Sequence, residues 1–168
     1  MALLGQTTIE VPRPGLGAMT WGAPKGLARL HPAKIAYGGA DGAAAEAEAF
    51  EASIASGVTP FDTAAAYSRG AAETRLGALA KGRAVLIASK FPMSFSTVKA
   101  EEFPDHLSGS LLRLGRSIDL YQHHFPGKTD IDRLMALMAD AVDEGKIRAV
   151  GVSNYSAAQM RRAHAALA

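Results

Sequence analysis

Four apolar stretches of this chain end on groups that can titrate or donate a hydrogen bond. Asp62 closes "GVTPFDTA" (57–64), with Tyr67 five residues further on, and Lys90 closes "AVLIASK" (84–90). His123 and His124 stand in "IDLYQHHF" (118–125), and Ser153 and Asn154 end "IRAVGVSN" (147–154). Taken singly, each has a plainer reading: Asp62 as a turn former, Lys90 as a solvated end, a histidine as a satisfied surface or core residue. Packing alone does not explain such groups at four successive run ends. An aspartate beside a lysine pairs with it. An ammonium beside a phenol stabilises the phenolate and brings a pKa of about 10 toward the working range. A phenol so placed is a competent general acid near neutral pH, and an imidazole from the next strand can hydrogen-bond a carbonyl and orient it. Together these groups could protonate an oxygen as a carbonyl is reduced. None of them carries a hydride, so this chemistry requires a nicotinamide cofactor.

The runs that must hold these groups are apolar on successive residues, which is how strands covered on both faces read. An earlier fifth candidate is "GLGAMTW" (15–21), and "QTTIEVPRP" before it suggests a small hairpin arm. Helical patterns lie between the runs. Residues 43–56 put Phe50 and Ile54 on one face with Gly57 as a stop, and residues 72–80 carry Leu76 and Leu79 with Gly82 following. Residues 104–114 open with Pro104 and space Leu107, Leu111 and Leu114 by three and four before Gly115. Residues 130–143 carry Ile131, Leu134, Met135, Met138 and Val142, with Thr129 and Asp132 reading as a capping box and Gly145 as a stop. Residues 156–166 open with Ser156 and Gln159 in the same relation. Five strand–helix alternations predict an α/β fold with a parallel sheet. A doubly wound sheet and a (β/α) barrel both fit, although the first strand-to-helix turn lacks the GxGxxG dinucleotide fingerprint. Residues 22–42 form a long Gly/Pro-punctuated loop, of the kind that is usually functional or disordered. It contains His31 and Tyr37, to which no role is assigned.

The chain has 168 residues, 48% of them hydrophobic, which excludes wholesale disorder and suffices for a core. A formal net charge of +2 with scattered Lys and Arg argues against a nucleic-acid groove. The absence of cysteine excludes disulfides, thiol catalysis and thiolate metal sites, and no metal site is expected. No apolar run approaches the roughly 18 to 20 residues of a membrane span. "MALLGQTTIEVPRP" has neither a basic n-region nor an h-region, so a cytoplasmic protein is expected.

"FDTAAAY", "LIASK", "DLYQHHFP" and "GVSNYS" together resemble the signature segments of the aldo-keto reductases, in order and from residue 15 onward. "AMTWG" is closer to the branch containing potassium-channel β-subunits and bacterial and plant relatives than to the hydroxysteroid branch. The resemblance implies a (β/α)8 TIM barrel that reduces an aldehyde or ketone with NADPH. It implies a catalytic tetrad of Asp62, Tyr67, Lys90 and His124. His124 rather than His123 is the match, since the family histidine lies three residues after the tyrosine; His123 is expected to point to the opposite side, into the barrel wall or helix layer. Ser153 and Asn154 resemble the pair that holds the nicotinamide carboxamide, while Thr20 and Trp21 match positions lining the cofactor and substrate cavity; Asp62 borders the same cofactor.

A barrel of eight units takes about 250 residues, so residues 1–168 read as a single barrel domain holding about five of eight βα units. The expectation is an N-terminal piece of a longer reading frame. The alternatives are a second polypeptide completing the barrel, or an open sheet that folds alone or self-associates. A non-catalytic NADP-binding or partner-assembling module is the competing function.

Overall fold

The computed structural model describes residues 1–23, 42–92 and 98–167. Most of the loop 22–42, including His31 and Tyr37, lies outside the described residues. A two-residue ladder opens the chain: β1 (Ala2–Leu3) pairs antiparallel with β2 (Glu10–Val11). The hairpin expected within residues 6–14 thus begins earlier, and Leu4 N–H to Ile9 O at 2.9 Å closes it.

Five strands follow in one parallel sheet, in chain order: β3 (Leu16–Gly17), β4 (Pro60–Asp62), β5 (Leu86–Phe91), β6 (Leu120–His123) and β7 (Val150–Val152). All are shorter than the apolar runs that announced them. The helices are α1 (Gly42–Ala55), α2 (Ala71–Ala80), α3 (Phe103–Leu114), α4 (Ile131–Asp143) and α5 (Ala157–Ala166). Each of the strands β3 to β7 is thus followed by a helix, and among the described residues β3 and β7 are the two edges.

The stop and start signals act as their chemistry dictates. Gly115 ends α3 in the left-handed region at φ 70°. Ser156 and Gln159 form a reciprocal capping box on α5. The capping box expected from Thr129 and Asp132 is not formed. Asp130 caps α4 instead, accepting from Arg133 N–H, while Thr129 Oγ1 donates to Val98 O at 2.7 Å. Asp130 holds its short carboxylate one residue nearer the helix, where it reaches the free N–H groups of the first turn.

Burial also departs from the two-sided expectation. Along β5 and β6 it alternates: Ile87, Ser89, Tyr121 and His123 are buried, whereas Leu86, Ala88, Leu120 and Gln122 are half-buried. The buried face receives the helices, where Phe50, Phe61, Leu76, Ile87, Leu107, Tyr121, Leu134, Met135 and Met138 form one core. Phe50 and Phe61 lie 4.7 Å apart, and Phe91 stacks on Tyr121 at 5.3 Å. Full burial of such side chains contributes about 1.5–3 kcal/mol each. The other face is only partly covered, and it carries Asp62 and Lys90. Helices α2 and α3 meet closely at Gly77, where a Cβ would sit 2.7 Å from Arg113 O. That contact offsets the roughly 1 kcal/mol a mid-helix glycine costs against alanine.

At the opposite end of the strands, buried Asp119 accepts from Ile87 N–H at 2.8 Å and from Arg148 Nη1 at 2.6 Å. That ion pair serves the sheet, on the face where barrels keep stability and not chemistry.

Candidate active site

Lys90 is 7% exposed although it carries a charge. Burying an ammonium is costly unless its donors are met. Here its three acceptors match its three N–H groups: Asp62 Oδ1 at 2.7 Å, Asp62 Oδ2 at 2.6 Å and Thr63 O at 2.8 Å. The parallel register sets this up. Asp62 pairs with Ala88, two residues before Lys90 and on the same face, so the long lysine stem reaches back across one pleat. Thr63 is a participant that side-chain types did not reveal, because it contributes only its carbonyl. Its Oγ1 is buried with no hydrogen-bond partner among the described residues.

Tyr67 starts a tight turn, Tyr67–Gly70, between β4 and α2. Ser68, Arg69 and Gly70 all have positive φ, at 50°, 54° and 85°. Two non-glycine residues in that region cost about 1 kcal/mol or more each, so the turn must be held from outside. Arg113 lies on Gly70, where a Cβ would come 2.8 Å from its Cδ. Arg113 Nε donates to fully buried Glu73 at 2.6 Å, and Ser89 Oγ donates to the same carboxylate at 2.5 Å. Ser89 precedes Lys90, so this buried acid links the Tyr67 turn to β5. Glu73 and Arg113 are not among the residues expected from the sequence; a carboxylate inside the helical pattern of 72–80 was the available signal.

The turn places the Tyr67 ring under the ammonium: Lys90 Nζ lies over it, 5.1 Å from the centroid. The charge therefore acts on the phenol through its field and across the ring face, since the three N–H groups of Nζ are directed to Asp62 and Thr63. His124 meets the same ring edge-on at 6.0 Å. Its backbone N–H donates to Phe91 O at 2.6 Å, and its ring stacks on Phe125 at 4.2 Å. Burial, and then the Lys90 charge, hold the His124 imidazole below its ordinary pKa, with Asp62 opposing. The ring is neutral at neutral pH. Its Nδ1 is buried without a partner among the described residues.

His123 faces the other way. It is fully buried against Phe91 at 5.2 Å, and its Nδ1 lies 2.6 Å from Tyr155 Oη. Burial, and then the His124 charge, push it down to about 4. Beyond β7, Asn154 takes φ 58°, and its Nδ2 donates to His124 O at 2.8 Å and to Ser153 Oγ at 3.0 Å. Ser153 N–H donates to His123 O at 2.9 Å.

Asp62, Lys90, Tyr67 and His124 therefore cluster at one end of the sheet, with Ser153 and Asn154 beside His124. Thr20 lies half-buried in the turn after β3, at the same end, since Ala18 N–H donates to Asp62 O at 2.8 Å. Trp21 does not join the cluster. It is 6% exposed and packs on Phe50 and Phe61 at 6.5 and 6.3 Å, in the helix-facing core. An indole that large reaches its lowest free energy among other rings, so the position expected to line a cavity instead anchors the turn that presents Thr20. Among the described residues no group of three or more His, Asp or Glu side chains could hold a metal ion. No described helix is long and apolar enough to cross a membrane.

Comparison with known proteins agrees with this architecture. The model of the aldo/keto reductase family matches residues 15–168. An uncharacterised oxidoreductase of Mycobacterium tuberculosis is 39% identical over 163 residues, covering 94% of this chain and 47% of that protein. Aldo-keto reductase YhdN of Bacillus subtilis is 33% identical over 169 residues, with the same 94% and 47% coverage. An aldo-keto reductase of Klebsiella pneumoniae, solved in complex with NADPH, matches with a TM-score of 0.68 at 30% identity, over 90% of this chain and 48% of that one. A thermostable aldo-keto reductase solved with the inhibitor epalrestat gives a TM-score of 0.76 at 27% identity, over 98% and 57%. The chain spans about half the length of the curated relatives it matches, and its sheet with flanking helices is an incomplete α/β barrel. Match and architecture together make this chain a member of the aldo/keto reductase family.

Proposed function

We propose that this chain carries the proton-transfer site of an NADPH-dependent carbonyl reductase, which converts an aldehyde or ketone to an alcohol. The observation that carries the reading is the buried Lys90 ammonium, held by Asp62 and lying over the Tyr67 ring, with the His124 imidazole against the same ring. Tyr67 gives its phenolic proton to the carbonyl oxygen. Lys90 offsets the negative charge left on the phenol oxygen, and Asp62 keeps the ammonium in place. The neutral His124 ring carries its proton on Nε2, because an unpartnered buried N–H at Nδ1 costs more than an unpartnered lone pair. Its Nε2–H is then a donor that orients the carbonyl oxygen.

The residues present fit a nicotinamide. With Nδ2 engaged by His124 O and Ser153 Oγ, Asn154 keeps its Oδ1 as an acceptor, and the Ser153 hydroxyl stands beside it. That set complements a carboxamide, which offers an N–H2 and a C=O. Thr20, with Asp62, borders the same rim. When bound, the reduced cofactor supplies the hydride to the carbonyl carbon.

The test is NADPH binding by fluorescence titration, together with NADPH oxidation over a panel of small aldehydes and ketones, for the chain and for Tyr67→Phe. The variant is expected to keep its cofactor affinity within about twofold and to lose at least ~100-fold in turnover. Unchanged turnover in Tyr67→Phe refutes the acid assignment. A second reading is favoured by the sheet's two edges, β3 and β7, each with one neighbour among the described residues, and by its half-covered face. In that reading the chain is a non-catalytic NADP-binding module that meets a second copy or a second polypeptide. Light scattering separates the two: a monomer that oxidises NADPH sinks the second reading.

A further inference from the structure

His123 is a buried titratable side chain that the proposed chemistry does not use. The position needs no imidazole for packing, since a carbon side chain would fill the space beside Phe91 without burying two ring nitrogens. What the ring does is meet Tyr155. Its Nδ1 lies 2.6 Å from Tyr155 Oη, and the two rings meet edge-on at 5.7 Å and 77°. The contact joins two segments that both matter to the site. His123 directly precedes His124, and Tyr155 directly follows Asn154. Regular pairing between β6 and β7 ends at His123 and Val152. Past that point the turn Ser153–Tyr155 is tied to the end of β6 by three links: Ser153 N–H to His123 O, Asn154 Nδ2 to His124 O, and the Tyr155–His123 side-chain pair. Asn154 stays in the left-handed region at φ 58°, a conformation that needs such restraint.

We infer that His123 and Tyr155 form a positioning pair that clamps the Ser153–Asn154 turn onto the end of β6 and so sets the direction of His124 and Asn154. Neither residue touches the Lys90–Tyr67 pair in any described contact. Both act through the backbone to which His124 and Asn154 are attached. The importance of the clamp for cofactor binding rests on the roles proposed above for His124 and Asn154; the clamp itself does not. His123 Nε2 is buried with no partner among the described residues. The proton therefore belongs on Nδ1, donated to Tyr155 Oη, with the bare lone pair at Nε2.

The experiment uses the whole 168-residue chain, with three substitutions. Tyr155→Phe removes only the hydroxyl. His123→Gln carries its amide out to the position of Nε2 and loses the contact. His123→Asn places an amide at the position of Nδ1 and keeps it. Amide hydrogen exchange of Ser153 N–H is read against Ile87 N–H, which Asp119 holds at the far end of the sheet. Loss of one hydrogen bond is expected to speed Ser153 exchange roughly three- to tenfold in Tyr155→Phe and His123→Gln. Ile87 should not change, and His123→Asn should stay near the wild-type rate. Long-range proton–nitrogen spectra should show the Nδ1–H tautomer of His123 in the wild type. NADPH affinity should weaken by the same roughly three- to tenfold in the two disrupting variants. An equal rise at Ser153 and Ile87 would mean general destabilisation and overturns the proposal. So does unchanged Ser153 exchange in Tyr155→Phe, or failure of His123→Asn to rescue. If the unsubstituted chain binds no NADPH, the carbonyl-reductase reading is what fails, and the exchange data decide the clamp by themselves.

Discussion

The two neighbouring histidines make acid stability a quantitative test of the buried end of β6. A histidine whose pKa is depressed on folding favours the neutral form in the native state. The unfolded chain then binds more protons between the two pKa values, so stability is complete above the unfolded value and falls as pH drops through the window. For His123 that window runs from 6.5 down to about 4. At about 1.4 kcal/mol per pH unit the ceiling is about 3 kcal/mol, of which about 2 kcal/mol is lost between pH 7 and pH 5. His124 and His106 are shifted in the same direction, chiefly by burial, so the wild-type slope holds more than one contribution. His123→Gln isolates one of them. The assay is urea unfolding at both pH values, followed by fluorescence of Trp21, the sole tryptophan and 6% exposed against Phe50 and Phe61. Relative to wild type, the variant should gain about 2 kcal/mol of stability between pH 7 and pH 5, so the gap between the two shifts by that amount. If the gap stays constant within about 0.5 kcal/mol, His123 is not the neutral buried ring described here.

Lys90→Met should reduce carbonyl turnover by at least ~100-fold. It should cost less than about 2 kcal/mol in urea unfolding, because the Asp62 side chain is 45% exposed and rehydrates once its partner is gone. Gly22→Ala should cost at least ~2 kcal/mol by the same method, since the residue sits at φ 79° and a Cβ would lie 2.4 Å from Ala71 O. Arg113→Ala should cost about 2–3 kcal/mol, because it leaves the Glu73 carboxylate buried without its ion partner and uncovers Gly70.

The strand–helix alternation was legible because each helix carries a stripe of apolar residues at helical spacing and most end in a glycine that adopts positive φ, as at Gly57, Gly115 and Gly145. Strand length was less legible. An apolar run such as residues 147–154 does not mark where backbone pairing stops, and only Val150–Val152 is a strand. Two-sided cover was overread for the same reason: side chains on the half-covered face of β5 and β6, such as Leu86 and Leu120, are as apolar as those facing the helices. In the cluster, Asp62, Tyr67, Lys90 and the histidine pair stand out by type and spacing, whereas the choice of His124 and the opposite facing of His123 came from the family resemblance with strand alternation. Trp21 could not, because its burial depends on Phe50, far away in sequence. Thr63 could not, because any residue's carbonyl would serve. Tyr155 could not, because a phenol gives no signal of which imidazole it will meet.

The links of the cluster join adjacent strands or the turns that extend them. Asp62 and Lys90 connect β4 to β5, His124 N–H and Phe91 O connect β5 to β6, and Asn154 Nδ2 and His124 O connect β6 to β7. The geometry therefore depends on parallel register between neighbours. A slip of one residue between β4 and β5 would turn Lys90 to the helix face and set Ser89 opposite the carboxylate. Closing the sheet into a full barrel is not needed to bring an ammonium over a phenol. Cofactor affinity obeys a different rule, because phosphate sites in barrels come from the loops after the last two strands, at the greatest sequence distance from β4. The arrangement of Asp62, Lys90, Tyr67 and His124 and the strength of NADPH binding are thus separable properties of this fold. A chain that binds the cofactor weakly can still hold all four side chains in place, and the tautomers of His123 and His124 report on that arrangement whether or not a nucleotide is bound.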